Sequence, residues 1–421
     1  MQKLVDLLHK ILPLTRFDVG IGELLRAEMI RAMYVRYTRD PHYVLNRTYV
    51  ALRSARVIIP DSFCPPLVEF LGQFLSDYID LKTKTIGVGS TESTIADFSV
   101  GLVRTAATLG PERTVEVLVS WIEGKPYQCQ LNASLSGVGF DHALALEEGI
   151  RISEIPISPD RWQPYSSYAA MGVTRKHSIY VGALLSIDAT SRPVFYMPLR
   201  EKGQGERSIY TWAQGLFQEL PIETFCEALS LASNRCVRWR YQWGDAGELM
   251  EFSPGLCPGF ARNIFSERES QKALTQEQLE RARDIHVKRN TSASIHRGLN
   301  IAVLWWLNTK RPEASWVDTL VGLRIALEAL YLRGNSGEIQ FRLATYASWH
   351  LGGDFDERNH YHKMFRDFYK LASKVVHGRS VEAAASDYEL CNSVQDACRK
   401  GILRLIEDSE RVDWDELILG G

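Results

Sequence analysis

Five residues near the carboxyl end of the chain have types and spacing that suit the handling of a phosphodiester. Lys363, Arg366, Lys370, Lys374 and His377 follow one another at intervals of three, four, four and three residues. On an α-helix these intervals place all five side chains along one stripe. A row of cations can hold phosphates, and an imidazole can transfer protons because histidine titrates near neutrality. The stripe therefore predicts a phosphodiester-cleaving site or, alternatively, a solvated helix face with a capping histidine.

The helix that carries this stripe is predicted to be amphipathic and to end at a glycine. Its other face is apolar and consists of Met364, Phe365, Phe368, Leu371, Ala372, Val375 and Val376. Gly378 is expected to end the helix, because glycine enters the left-handed conformation without steric cost. The apolar face predicts self-association through this helix or its neighbours, with Phe368 as an interface residue.

The sequence around this helix resembles a known family. The segment SKVVHG at 373–378, with LRIALEALYL at 323–332 and GILRLIEDSE at 401–410, is similar to the C-terminal domain of the Apea-like HEPN family. Domains of that family are helical, and many of them cut RNA in bacterial defence against phage. The resemblance covers residues 275–419, and a weaker similarity extends through the N-terminal part.

The family motif is an arginine, a small polar residue, three further residues and a histidine. Ser373 and His377 match the last two landmarks, whereas Ala372 stands at the arginine position. The resemblance implies that His377 acts as acid or base and that Ser373 supports the site. It also implies that RNA phosphates are bound by the stripe cations Lys363, Arg366, Lys370 and Lys374.

Glu328 lies in the ALEAL segment, which the resemblance places near the active cleft. Its alternative role is an ion pair on the helix surface with Arg324, four residues earlier. His360 and His362, with nearby acids in DFDERNHYH at 354–362, offer two ligands for a metal. The spacing fixes no third ligand, so no metal site is predicted there.

The reaction implied by the resemblance requires neither a metal nor another cofactor. It needs a base for the 2′-hydroxyl, a positive charge at the scissile phosphate and an acid for the leaving oxygen. The product would carry a 2′,3′-cyclic phosphate, and tRNA is one candidate substrate. In the family two domains share one cleft, which implies a homodimer or a higher homo-oligomer, and a phage-derived trigger is a further implied partner.

Because alanine replaces the phosphate-holding arginine, we expect this chain to be inactive. An introduced substitution and natural divergence are the two explanations for Ala372. The alternative function is a non-catalytic HEPN scaffold that binds nucleotide, RNA or a partner protein. Retention of Ser373 and His377 favours an introduced substitution at 372, because a lineage that had lost the activity would have no need to keep its histidine.

The expected fold class is α+β in three parts. Residues 1–110 are predicted to be a helical N-terminal region, with a second helix beginning at Leu24. Residues 111–265 are predicted to form a β-rich sensing or scaffold module, and RTVEVLVSWIEG at 113–124 is interpreted as one of its strands. After a charged linker at 266–272, residues 270–421 are predicted to form the all-α HEPN bundle.

Three local features complete the sequence prediction. TIGVGSTEST at 85–94 lacks the lysine and the spacing of a phosphate-binding loop and is interpreted as an ordinary loop. A turn is expected to begin at 243–245. Leu299–Leu307 is apolar on all sides and is predicted to be a central core helix.

Composition narrows the functional classes. The 421-residue chain is 45% hydrophobic and 24% charged, with a formal net charge of −2, so any nucleic-acid contact must be a local patch. Its seven scattered cysteines form no CxxC pair, which fits a reducing compartment and argues against zinc. The apolar run at 301–307 is too short for a membrane span, and a cytoplasmic protein without membrane contact is expected.

Overall fold

The structure is a computed structural model. The residues that it describes are 1–18, 56–76, 79–80, 85–88, 91–123, 125–138, 144–147, 149–153, 183–191, 195–196, 222–245, 260–261, 273–296, 298–332, 338–378, 384–408 and 412–419. The predicted helix at Leu24 and the predicted linker at 266–272 lie outside the described residues.

The fold is α+β, and the chain divides into two compact units. The first unit contains residues 1–134, 148–220 and 240–263, and the second contains residues 135–147, 221–239 and 264–421. The predicted boundary at residue 270 therefore leaves out two earlier stretches that belong to the second unit. No described helix has both the length and the apolar character needed to cross a bilayer.

Four helices of the first unit pack around one apolar core. They are α1 (Gln2–Ile11), α2 (Cys64–Phe74), α3 (Ile95–Leu109) and α4 (Pro111–Ile122). The strand prediction for 113–124 is wrong, because this segment is α4. Pro111 occupies the first helical turn, and Val115, Leu118 and Trp121 are buried at helical intervals.

Twelve short strands lie within the described ranges of the chain. They are β1 (Arg16–Asp18), β2 (Arg56–Ile58), β3 (Ile79–Asp80), β4 (Thr85–Val88), β5 (Thr91–Thr94), β6 (Tyr127–Ser136), β7 (Leu144–Glu147), β8 (Ile150–Ser153), β9 (Ala183–Ser191), β10 (Phe195–Tyr196), β11 (Arg238–Asp245) and β12 (Phe260–Ala261). The parts of β12, β11, β6, β9 and β8 that belong to the first unit lie side by side in this order.

Two sequence interpretations of the strand region are wrong. The segment 85–94 is an antiparallel hairpin, in which Thr85 pairs with Thr94 and Val88 with Thr91, and not an ordinary loop. The expected turn at 243–245 is the end of β11, which runs to Asp245. Residues 1–110 therefore contain short strands as well as helices.

The second unit is mainly a set of packed helices. They are α5 (Ile222–Ser233), α6 (Gln276–Ile295), α7 (Leu299–Thr309), α8 (Trp316–Tyr331), α9 (Ile339–Leu351), α10 (Phe355–Val376), α11 (Ala385–Glu407) and α12 (Trp414–Leu419). α6 begins with a capping box, in which the side chains of Thr275 and Gln278 each bond the backbone N–H of the other residue.

α7 lies at the surface of the second unit, contrary to the prediction of a fully enclosed core helix. Leu299, Val303 and Trp306 are buried, but Ile301 is 48% exposed and Leu304 is 52% exposed. The apolar sequence therefore covers both an inner and an outer face of the helix. Such an exposed apolar face is a candidate contact surface.

α5 joins the second unit through two arginines. Arg399 on α11 donates from Nε to the Leu231 carbonyl at 2.5 Å and from Nη2 to the Ala232 carbonyl at 3.3 Å. Arg289 on α6 pairs through Nη2 with Glu227 at 3.0 Å, and its side chain is 4% exposed. The two Arg399 contacts satisfy carbonyls that the end of a helix leaves free.

Candidate functional site

The candidate site lies along α10. Asp354 caps the start of this helix by accepting from the Glu357 N–H at 2.8 Å. The helix ends where predicted, since Gly378 has a φ of +73° and its N–H bonds the Val375 carbonyl at 2.9 Å. His377 is the C-cap residue, and its N–H bonds the Ser373 carbonyl at 3.1 Å.

The structure brings the predicted stripe together on one exposed face of α10. Lys363, Arg366, Lys370, Lys374 and His377 are all exposed. Asp367 lies 3.6 Å from Arg366 Nε and 3.7 Å from Lys370 Nζ, and water screens such partly exposed pairs. The stripe therefore keeps a net positive charge and ends in an imidazole that solvent reaches.

The opposite side of α10 is buried within the chain itself. Ala372 and Phe368 are each 0% exposed, and Ser373 is half-buried between Ala372 and the exposed stripe. The prediction that Phe368 lies at an interface between copies is therefore wrong, because its ring already packs in the core of its own unit. Val376, at 49% exposure, is largely exposed, and Val375 beside it is half-buried.

Glu328 belongs to a three-residue network between α8 and α10. Arg324 Nε donates to Glu328 Oε1 at 2.7 Å, which confirms the predicted ion pair. The Tyr369 hydroxyl donates to the same Oε1 at 2.9 Å and accepts from Arg324 Nη2 at 2.8 Å. These bonds fix the rotation of α10 relative to α8. They link Glu328 to Tyr369, one helical turn before Ser373. Within the described part of the chain, the Glu328 side chain makes no hydrogen bond to Ser373 or His377.

Tyr369 is a site residue that the sequence analysis missed. Burial and then the hydrogen bond to Glu328 raise the pKa of the Tyr369 hydroxyl to about 12. The phenol therefore keeps its proton at neutral pH and remains a donor to Glu328. Its position four residues before Ser373 was the available signal, because residues four apart share a helix face.

The two histidines of the 354–362 segment lie on α10. His360 is exposed, and His362 is half-buried with its ring centroid 6.2 Å from that of Phe341. Burial and then the charge of Arg366 lower the pKa of His362. Among the described residues, no group of three His, Cys, Asp or Glu side chains is placed to share a metal ion.

Comparison of the chain with protein-family models, with curated proteins and with solved structures gives no match. The features of the molecule that bear on function lie on α10 and its neighbours. These elements offer an exposed row of cations that ends in an exposed imidazole, next to a buried alanine. Such a surface can bind successive phosphates and supplies one group able to move a proton.

Proposed function

We propose that the second unit is a HEPN-type domain of a metal-independent endoribonuclease, and that Ala372 silences it in this chain. The observation that carries this proposal is the exposed stripe of α10, on which four cations lead to His377 at the helix end. The resemblance of 373–378 to the HEPN motif supports the choice of RNA as substrate and of anti-phage defence as the setting. The test is cleavage of RNA in EDTA by the Ala372→Arg protein.

The proposed roles follow from the positions of the side chains. His377 moves a proton to or from a ribose oxygen, and Lys370 and Lys374 hold the phosphates beside it. Ser373 supports the site next to the motif position. Glu328 positions α10 through Tyr369 and does not act on the substrate. The product would be a 2′,3′-cyclic phosphate end, and the strands of the first unit would respond to a phage-derived trigger in the cytoplasm.

The second candidate function is a non-catalytic HEPN scaffold that binds nucleotide, RNA or a partner protein. Ala372 is the observation that favours it, because the buried methyl group offers no charge to a phosphate. A scaffold would bind RNA through the same cations and leave it intact. Restoring the arginine separates the two functions.

Binding of single-stranded RNA is expected to weaken steeply with salt if the α10 stripe holds it. A plot of the logarithm of the affinity against the logarithm of the salt concentration should have a slope of about −2 to −3. Each neutralised phosphate contributes roughly −0.7 to this slope, and three or four phosphates are engaged. Changing Lys370 and Lys374 to alanine should flatten that slope. The matched control is the exposed pair Lys3 and Lys10 on α1, changed in the same way. Equal slopes in the two double variants would place the RNA elsewhere.

We also propose that the protein is a homodimer or a higher homo-oligomer. Light scattering at micromolar concentration should give at least twice the chain mass of 47.8 kDa. Val376→Asp should lower that mass, because it places a charge on an apolar surface next to the site. The control is Val287→Asp on α6, since Val287 is 58% exposed and Val376 is 49% exposed. A monomer mass for the unmodified protein contradicts the proposal.

A further inference from the structure

Two exposed phenylalanines stand on the hairpin formed by α9 and α10. Phe341 on α9 is 60% exposed, and Phe355 at the start of α10 is 79% exposed. Among the residues whose side chains the structure describes, these are the two phenylalanines with largely exposed rings. Exposed aromatic rings are costly in water, so two of them on one hairpin indicate a contact surface.

The two helices of this hairpin are antiparallel and tightly joined. Gln340 Nε2 donates to the Arg366 carbonyl at 2.9 Å near one end of the hairpin. Near the other end, the Arg358 guanidinium lies 3.8 Å from the centroid of Trp349 and donates to the carbonyls of Gly352 and Gly353. The exposed rings are therefore carried by a rigid support.

Cations follow the rings along this surface. The His362 ring meets Phe341 edge to face at 6.2 Å, with an interplanar angle of 74°. Arg366 follows His362 by four residues and is exposed, so it lies on the same side of α10 one turn further along. Phe355 precedes His362 by seven residues, which corresponds to about 10 Å along the helix axis.

This surface runs into the candidate site. From His362 the same side of α10 continues through Arg366 and Lys370 to His377, about 22 Å further along the axis. Two of the three carboxylates at the start of the helix are engaged with its backbone, since Asp354 accepts from the Glu357 N–H and Glu357 accepts from the Gly353 N–H at 2.7 Å. The third, Asp356, is exposed beside Phe355. Positive charge therefore borders the Phe341 and His362 end of this surface, which suits phosphates, whereas the Phe355 end is flanked by acidic residues.

We propose that the α9–α10 hairpin is a stacking platform for the bases of single-stranded RNA. Phe341, His362 and Phe355 would receive bases, while Arg366 and Lys370 would hold the phosphates between these rings and His377. This inference rests on the proposed function for the choice of RNA, and it specifies an unpaired segment as the substrate that reaches His377. Bases in a duplex are stacked on one another and cannot open onto protein rings.

The test measures binding to the unmodified chain, in which Ala372 is expected to leave the RNA uncut. A fluorescein-labelled 12-nucleotide oligouridylate is titrated and followed by anisotropy, beside an RNA duplex of equal length. The single strand should bind more tightly than the duplex. Phe341→Leu should weaken single-strand binding by about tenfold and leave the salt slope unchanged, whereas Phe341→Tyr should retain affinity because it keeps an aromatic face.

The control variant is Tyr388→Leu, which removes a 50%-exposed aromatic ring on α11 and should leave binding unchanged. Absence of single-strand binding, equal affinity for the duplex, or full affinity in Phe341→Leu would each overturn the inference. A loss of self-association in Phe341→Leu without a loss of RNA affinity would show a protein interface instead.

The Phe341→Leu and Ala372→Arg proteins test the stacking platform and the nuclease separately. If Phe341→Leu weakens binding but the Ala372→Arg protein leaves RNA intact, the platform stands and the nuclease proposal fails. If the Ala372→Arg protein cuts RNA while Phe341→Leu binds normally, the nuclease proposal stands and the platform fails.

Discussion

Ala372→Arg is expected to convert a protein that leaves RNA intact into one that cleaves it in the presence of EDTA. A guanidinium at this position can hold two phosphate oxygens at once and stabilise the charge that develops during attack by the 2′-hydroxyl. Loss of one such donor typically costs about 10²–10³ in rate, so the gain should be at least a hundredfold. Cleavage of total RNA, resolved on a denaturing gel, measures it.

Because Ala372 is buried, the Ala372→Arg protein can cleave RNA only if its fold accommodates the longer side chain. The Ala372 side chain is 0% exposed, so a longer side chain must displace neighbours or run out along the helix toward Ser373. Overpacking of this kind costs about 1–3 kcal/mol of stability. Arginine can lower that cost because its stem covers apolar surface while its charged head reaches water.

Ala372→Met is the matched control, since methionine has a long unbranched side chain without the charge. It should fold with a similar loss of stability and leave RNA intact. Adding His377→Ala to the arginine variant should abolish cleavage again. If the arginine variant melts at the same temperature as the methionine variant and cuts no RNA, the silenced-enzyme proposal is wrong and the scaffold alternative gains.

Acid is expected to destabilise the second unit through His350. This residue of α9 is 8% exposed, and its Nδ1 lies 3.1 Å from the Tyr331 hydroxyl. The Trp414 ring on α12 meets it edge to face at 5.1 Å. Burial, followed by the charges of Arg404 and His296, lowers the pKa of His350 to about 3.

The direction of this pH effect follows from comparing the protonation of His350 in the unfolded and the native protein. An unfolded histidine takes up a proton below about pH 6.5, whereas native His350 stays neutral until about pH 3. The unfolded state therefore binds more protons as the pH falls, and the free energy of unfolding decreases. The stability is fully present above pH 6.5 and should decline by about 3 kcal/mol between pH 7.5 and pH 4.

Urea unfolding at a series of pH values measures this contribution. His350→Gln should lower stability at pH 7.5 and flatten the pH dependence by about that amount. Tyr331→Phe is the control, because it removes the hydrogen bond to His350 but leaves the imidazole buried, so the pH dependence should persist. Parallel pH profiles for the unmodified protein and His350→Gln would contradict the assignment.

The features that the sequence predicted correctly depend on residues that are close together in the chain. The carboxyl end of α10 was predictable because residues three and four apart share a face and because Gly378 takes a positive φ. The Arg324–Glu328 pair was predictable for the same reason, since its members are four residues apart. The capping box that begins α6 is also a local signal.

What the sequence did not predict depends on distant partners or on competing patterns. Tyr369 joins the network only because α8 and α10 pack together, and its partner Arg324 is 45 residues away. In α4 the alternating Val115, Val117 and Val119 mimic a strand, but the proline at 111 and the helical spacing of buried residues favour a helix. The exposed face of α7 was missed because apolar residues on every side carry no directional signal.

The attachment of α5 determines how the helical part can be dissected. A fragment that begins at residue 264 would lack α5 and would expose the surface against which Phe225 and Leu229 are buried. It would also remove Glu227 from Arg289, whose side chain is 4% exposed, and the two carbonyls from Arg399. Truncation at the predicted linker therefore removes part of the second unit, and a peptide covering 221–239 is the natural candidate to complement such a fragment in trans.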